Sequence, residues 1–193
     1  MRAGRVEGRV ADRVAGVPNQ SVAAELVVTV GFDRDPATMP VDIIALRRIL
    51  QSCRTIAVVG LSAEWHRPSY FAAKYMQSHG YRILPVNPRY AGSSVLGMAC
   101  VARLEDLDEP VDMVDVFRRS EDVGAIADSA IALGAKCLWQ QIGVVNREAD
   151  ARARAAGLDS VMDRCVKIEH ARLFGGLHWA GVNTGVISAR RMG

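Results

Sequence analysis

The stretch TIAVVGLSAEWHRPS, Thr55 to Ser69, reads as a buried strand, a glycine turn and the opening of a helix in immediate succession. Thr55 to Val59 is a short β-branched apolar run, of the kind a central strand shows when both faces of a parallel sheet are covered. Gly60 ends it with a residue that allows a tight turn and close approach of a ligand to the backbone. Pro68 stands where a first helical residue tolerates proline, so the free amides and dipole of that helix favour an anion. Ser62 adds a hydroxyl, and His66 and Arg67 bring cationic or donor groups to the same loop. A phosphate or diphosphate is the ligand this pattern suggests. The dinucleotide fingerprint needs three glycines, however, and Gly60-Leu61-Ser62 supplies one. Taken alone, the loop reads equally as a ligand cradle and as an ordinary strand-to-helix turn.

The rest of the chain repeats the alternation. Downstream of Asp42, an N-cap, Ile43, Leu46, Ile49 and Leu50 recur at helical spacing. The helix after the cradle carries Phe71, Ala72, Tyr75 and Met76 on one apolar face and stops at Gly80. Tyr81 to Val86 is a second strand and Ser94 to Ala102 a short edge strand, followed by a helical turn at Leu104 to Leu107. Asp112 to Phe117 is a strand with an uncommon internal acid, Asp115. Ser120 caps a helix bearing Val123, Ile126, Ala127, Ala130 and Leu133, and Cys137 to Ile142 is the next strand. Asn146 caps a further helix that ends at Gly157, and Ser160 to Met162 is the last strand. Strand and helix in strict turn predict a single α/β domain: a doubly wound parallel sheet, Rossmann-like, in three α/β/α layers with right-handed crossovers. Ligands of such sheets lie beyond the carboxyl ends of the strands, where the loops begin at Gly60, Asn87, Phe117 and Gln140.

Size and charge bound the function. The chain has 193 residues, half of them apolar, enough for one domain of about 150 residues with an arm or tail. Its net charge is only +3, with basic residues scattered among acids, which argues against nucleic acid as a partner. No apolar run approaches the roughly 18 residues of a membrane span, and the start lacks the apolar core of a secretory signal, so a cytoplasmic protein is expected. Cys53, Cys100, Cys137 and Cys165 form no C-x-x-C pair, and the four histidines show no ligand spacing, so no metal is expected. Residues 1–38 read as an N-terminal arm, disordered or upstream of a natural start at Met39. Within it Ser21 to Val30 can form an isolated strand. The domain is expected over 39–174 and a C-terminal tail over 175–193.

Three corners can carry chemistry. Asn87-Pro88-Arg89 ends the second strand without the acid that normally meets a ribose, and Arg89 suits a ribose phosphate, as in NADP or coenzyme A. The same residues also make an ordinary turn with a solvated arginine. Phe117, Arg118, Arg119 and Gln140 to Gly143 can line a channel for an extended arm, or the glutamines can merely satisfy strand-end backbone. Cys165 and His170 can form a nucleophile and base, or a structural thiol and a packing imidazole.

The motifs IAVVGLS with RPSY, ILPVNPRYAG, VDMVDVFRRSE, GAKCLWQQIGVVN and MDRCVKIEHARL, spanning about Leu46 to Phe174, closely resemble the stand-alone CoA-binding domain proteins of bacteria. These are relatives of the N-terminal domain of the succinyl-CoA synthetase alpha subunit. The resemblance implies that Gly60, Leu61, Ser62, Arg67 and Ser69 hold the pyrophosphate of coenzyme A or an acyl-CoA. It places Asn87, Pro88 and Arg89 at the nucleotide, with Arg89 meeting a phosphate. Val116, Phe117 and Arg118 would lie along the adenosine, and Gln141, Ile142, Gly143 and Val144 along the pantetheine. The synthetase's phosphohistidine domain and partner subunit have no counterpart here, so the expectation is a small-molecule binding or sensing module. The alternative is an enzyme, NADP-dependent or using Cys165 in thioester or thiol chemistry; a third reading is an interaction scaffold. The tail, GVNTGVISARR near its end, covers a surface or a partner copy, which makes a homodimer one expectation.

Overall fold

The computed structural model describes residues 41–175. The arm over 1–38, its strand and the tail beyond residue 175 lie outside the described residues. Strand β1 (Thr55–Val59) pairs in parallel with β2 (Arg82–Val86) on one side and with β5 (Met113–Val116) on the other. Beyond β5 come β6 (Cys137–Gln140) and β7 (Asp159–Val161), also parallel, so the sheet order is β2-β1-β5-β6-β7. The chain therefore winds outward in one direction to β2, then returns to build the other half from β5. The point of reversal is the gap between β1 and β5, where open α/β sheets place their ligands. Pro85 is accommodated because β2 is the sheet's edge, where its missing N–H breaks no ladder.

Alternation along the strands sorts the core into two layers. Ile56, Val58, Met113, Cys137, Trp139 and Val161 face α1 (Ile43–Ser52), α2 (Pro68–Ser78) and α5 (Val166–Phe174). Ala57, Val59, Val114, Val116 and Leu138 face α3 (Val123–Ala132) and α4 (Arg147–Ala155). Asp42 and Asn146 cap α1 and α4 as expected, accepting from the amides of Ala45 at 2.6 Å and Ala149 at 2.9 Å. The α/β/α expectation thus holds, and the exceptions are local.

The expected edge strand over Ser94 to Ala102 is instead an antiparallel hairpin of β3 (Ser94–Val95) and β4 (Met98–Ala99). Leu96 and Gly97 both adopt positive φ, 54° and 79°, which supplies the left-handed pair that a two-residue turn needs. Leu96 is held there by Gln77, whose Nε2 donates to its carbonyl at 2.9 Å. Beyond the hairpin Val101 joins the main sheet through a parallel bridge to Val86. Phe71 is not core: it is 46% exposed beside Trp65, while Ala73 takes the inward position. Ser120 does not cap α3. It opens a 3-10 turn, Ser120–Asp122, and its hydroxyl accepts from the Val145 amide at 2.9 Å, tying the β5 loop to the β6 loop.

Candidate functional site

The cradle is assembled from the ends of β1 and β2. Gly60 takes φ +88°, and a Cβ there would stand 3.0 Å from the Phe117 carbonyl oxygen and from the Arg118 side chain. The turn is clipped to β2 by the Gly60 amide, which donates to the Val86 carbonyl at 2.8 Å. Asn87 completes the clip. Its Nδ2 donates to the Leu61 carbonyl at 2.9 Å and its Oδ1 accepts from the Arg89 amide at 3.0 Å, so one buried side chain fixes both loops. Asn87→Ala is expected to lower stability by about 2 kcal/mol, the loss of two hydrogen bonds with their partners left behind, as read by urea unfolding. A change below roughly 0.5 kcal/mol would show that water replaces the amide.

Ser62 and Ser69 also work within the cradle. The Ser62 amide donates to Ser69 Oγ at 3.1 Å, and Ser62 Oγ accepts from the Glu64 amide at 3.1 Å while facing the Tyr90 hydroxyl at 3.4 Å. Their hydroxyls shape the loop, so an anion here is met chiefly by backbone N–H groups. Arg67 precedes Pro68 without making a side-chain cap, which leaves the first-turn amides of α2 without a capping side chain. Three side chains converge on Glu64: Arg67 Nε at 3.0 Å, His66 Nε2 at 3.4 Å and Arg89 Nη2 at 3.9 Å. The Arg67 hydrogen bond holds the Glu64 carboxyl below its ordinary range, so it is an anion already standing among the groups expected to meet a phosphate.

Between β1, β2 and the start of α3 lies a cavity of about 330 Å³. Gly60, Pro88 and Arg118, three residues singled out in the sequence, line it. Its far wall was not anticipated: Leu104 and Glu105 come from the 3-10 turn Leu104–Asp106, and Ile126 and Ser129 from α3. Ile126 and Ser129 sit three apart, a helical spacing that places them on one face, of which the sequence reading named only Ile126, as core. Only the closeness of α3 to the Leu104 turn, where Ser129 Oγ donates to Glu105, reveals a shared wall.

Across the switch point the glutamines divide. Gln140 is buried and satisfies Asn146, its Oε1 accepting from the amide at 2.8 Å, which is the backbone-satisfying role. Gln141 Nε2 donates at 2.7 Å to Oδ1 of Asp115, and both residues are buried. Burial pushes the Asp115 carboxyl up to about 7, with the Gln141 hydrogen bond opposing. Gln141 is therefore committed to Asp115. Ile142 is half-buried beside it, and the exposed Gly143 donates its amide to Asp163 at 2.8 Å.

Cys165 and His170 are not brought together as nucleophile and base. Cys165 precedes α5 facing the amides of Lys167 and Ile168, yet burial prevails and pushes its thiol up. His170 packs among Tyr75, Tyr81 and Phe174, with Nδ1 3.2 Å from the Tyr75 hydroxyl, and burial pushes its imidazole down. No hydrogen bond joins the two among the described residues. Glu169 beside them is buried and bridges Arg164 and Arg172. Among the described residues there is also no cluster of three metal-ligating side chains, and no helix is long and apolar enough to cross a membrane.

Residues 54–171, which hold the whole five-stranded sheet, match the family described as CoA binding domain. The chain belongs to this family. The domain is similar to the uncharacterised protein YneT of Bacillus subtilis (strain 168), with 41% identity over 126 residues, 65% of this chain and 92% of YneT. Among solved structures, a Thermus thermophilus protein is 39% identical, covering 69% of this chain and 100% of its own, with a TM-score of 0.67. A hypothetical protein of Pyrococcus horikoshii OT3 is 37% identical, covering 72% and 98%, with a TM-score of 0.68. These relatives share the domain itself over nearly their full lengths.

Proposed function

We propose that the domain binds coenzyme A or an acyl-CoA as a non-catalytic carrier or sensing module. The observation that carries this reading is the junction at Gly60, where a Cβ would close the approach between the cradle and the Phe117-Arg118 strand end. A cradle of backbone amides, a cavity of nucleoside size beside it and two arginines, Arg67 and Arg89, around it fit a diphosphate joined to a base. In this reading the backbone from Gly60 to Ser62, the first turn of α2 at Ser69 and the Arg67 side chain meet the pyrophosphate. Pro88 and Arg89 border the ribose phosphate, Val116 to Arg118 flank the adenosine, and Ile142 and Gly143 lie along the pantetheine. Asn87 and Gln141 position loops rather than touch the ligand. A thiol raised by burial and an imidazole held by Tyr75 support binding over Cys165 chemistry.

The test is titration calorimetry with coenzyme A, 3′-dephospho-coenzyme A and NADP, repeated on Arg89→Ala. Coenzyme A is expected to bind, and removing either its 3′-phosphate or the Arg89 guanidinium to weaken it about tenfold, the worth of one charge-assisted contact. Removing both should cost little more than removing one. Binding of NADP with no binding of coenzyme A would replace this reading with a nicotinamide one, and no binding of any of the three would leave a scaffold.

A further inference from the structure

We propose that Glu64 is a built-in plug of the phosphate cradle: its carboxylate occupies Arg67 and Arg89 in the ligand-free protein, and a phosphorylated ligand must displace it to bind. The inference rests on the coenzyme A reading and deepens it, because that reading leaves open what regulates access to the two arginines. The oxygens of Glu64 are divided between two loops. Oε2 accepts from Arg67 Nε, in the loop between β1 and α2, at 3.0 Å, and Oε1 lies 3.9 Å from Arg89 Nη2 in the turn Pro88–Tyr90 after β2. One carboxylate therefore spans the pair of guanidinium groups that the proposed pyrophosphate and ribose phosphate would meet. Backbone contacts that do not depend on the side chain set it there. The Glu64 amide donates to Ser62 Oγ at 3.1 Å, and the Glu64 carbonyl accepts from the Arg67 amide at 3.0 Å.

Exposure makes the contact reversible. The Arg67 and Arg89 side chains are 56% and 72% exposed and that of Glu64 33%, so a ligand reaches both guanidinium groups from solvent and the displaced carboxylate returns to water at little cost. The Arg67 contact is a hydrogen bond, whereas Arg89 stands at the outer limit of an ion pair. A ligand with a diphosphate and a ribose phosphate sets several negative charges against one, and its oxygens also accept from the backbone amides of the cradle, so it wins the exchange. Two other roles for Glu64 make different predictions. A carboxylate that holds Arg67 in the orientation the ligand needs would weaken binding when lost. One that merely repels the ligand at a distance would act through its charge alone, whatever its reach.

The experiment is titration calorimetry with coenzyme A on the full chain, comparing wild type with Glu64→Gln, which removes the charge, and Glu64→Asp, which keeps the charge but withdraws it from Arg67 by one methylene. Glu64→Gln is expected to bind about fivefold more tightly than wild type, the worth of a small set of exposed ion pairs, and Glu64→Asp at least about twofold more tightly. In nitrogen-labelled protein the Arg67 Nε–H resonance is expected to differ between ligand-free wild type and ligand-free Glu64→Gln, and in wild type to shift as coenzyme A saturates the site. A gain in Glu64→Gln with none in Glu64→Asp would overturn the plug in favour of repulsion at a distance. Unchanged or weaker binding by Glu64→Gln, or an Arg67 signal that saturation leaves in place, would overturn it outright. Each of these results leaves the coenzyme A reading in place, because coenzyme A binds. Binding by Glu64→Gln with none by wild type would uphold both, and no binding by wild type or either variant would overturn both.

Discussion

Gly60→Ala is expected to destabilise the domain by about 3 kcal/mol and to weaken nucleotide binding more than tenfold. Two costs add at this position. A left-handed backbone, φ +88° here, costs an L-residue with a side chain roughly 1–2 kcal/mol. The new methyl would also stand 3.0 Å from the Phe117 carbonyl oxygen, a backbone atom of the neighbouring strand end, and overpacking of this kind costs about 1–3 kcal/mol. Relief requires β1 and β5 to part where the ligand is proposed to lie. Gly134→Ala is the internal control, because Gly134 has a positive φ of 68° but nothing within 4 Å of a Cβ, so it meets the strain without the clash. Urea unfolding of both variants separates the terms. If Gly60→Ala costs no more than Gly134→Ala, the close approach of Phe117 is not what requires the glycine.

That junction also marks the limit of what was legible in the sequence. Local signals carried the strands and helices well: β-branched runs gave β1 and β5, and Asp42 and Asn146 announced their helices. They failed where a residue's partner is distant. Ser120 looks like a cap because it opens a helix, but its hydroxyl is taken by Val145, which α3 brings no closer in sequence. Leu96-Gly97 hides a hairpin because leucine rarely adopts positive φ and is held there by Gln77 on another element. Gly60, Asn87 and Arg118 were singled out from one edge of the site, whereas Asp122, Glu105 and Ile126 belong to it only through packing. An acid in the first turn of a helix reads as a partner of its dipole, and an isoleucine on a helix reads as core, until a cavity is found between them.

Asp115→Asn is expected to stabilise the domain at pH 8 by on the order of 4 kcal/mol and to leave it nearly unchanged at pH 4. Asp115 was conspicuous in sequence as an acid inside a strand, and the structure buries it at 1% exposure on the α1/α2/α5 face, with Trp139 as its register partner. Burial lifts its carboxyl from an ordinary 3.8 to about 7. A raised folded value means that the native state holds a proton which the unfolded chain has already released. Stability from this group is therefore full below pH 4, falls as pH rises from 4 through 7, and levels off above it. A lift of about three units at 1.36 kcal/mol each gives the size of the loss. Asparagine is neutral throughout and its Oδ1 can still accept from Gln141, so the variant escapes the loss without vacating the site. Other carboxylates shape both proteins alike, and the difference between variant and wild type isolates the one residue. Urea midpoints measured at half-unit steps from pH 4 to pH 8 should show that difference opening across the window and then staying constant. A difference that does not change with pH would mean that Asp115 is ionised in the native protein at pH 4, with water or a neighbour supplying what Gln141 alone does not.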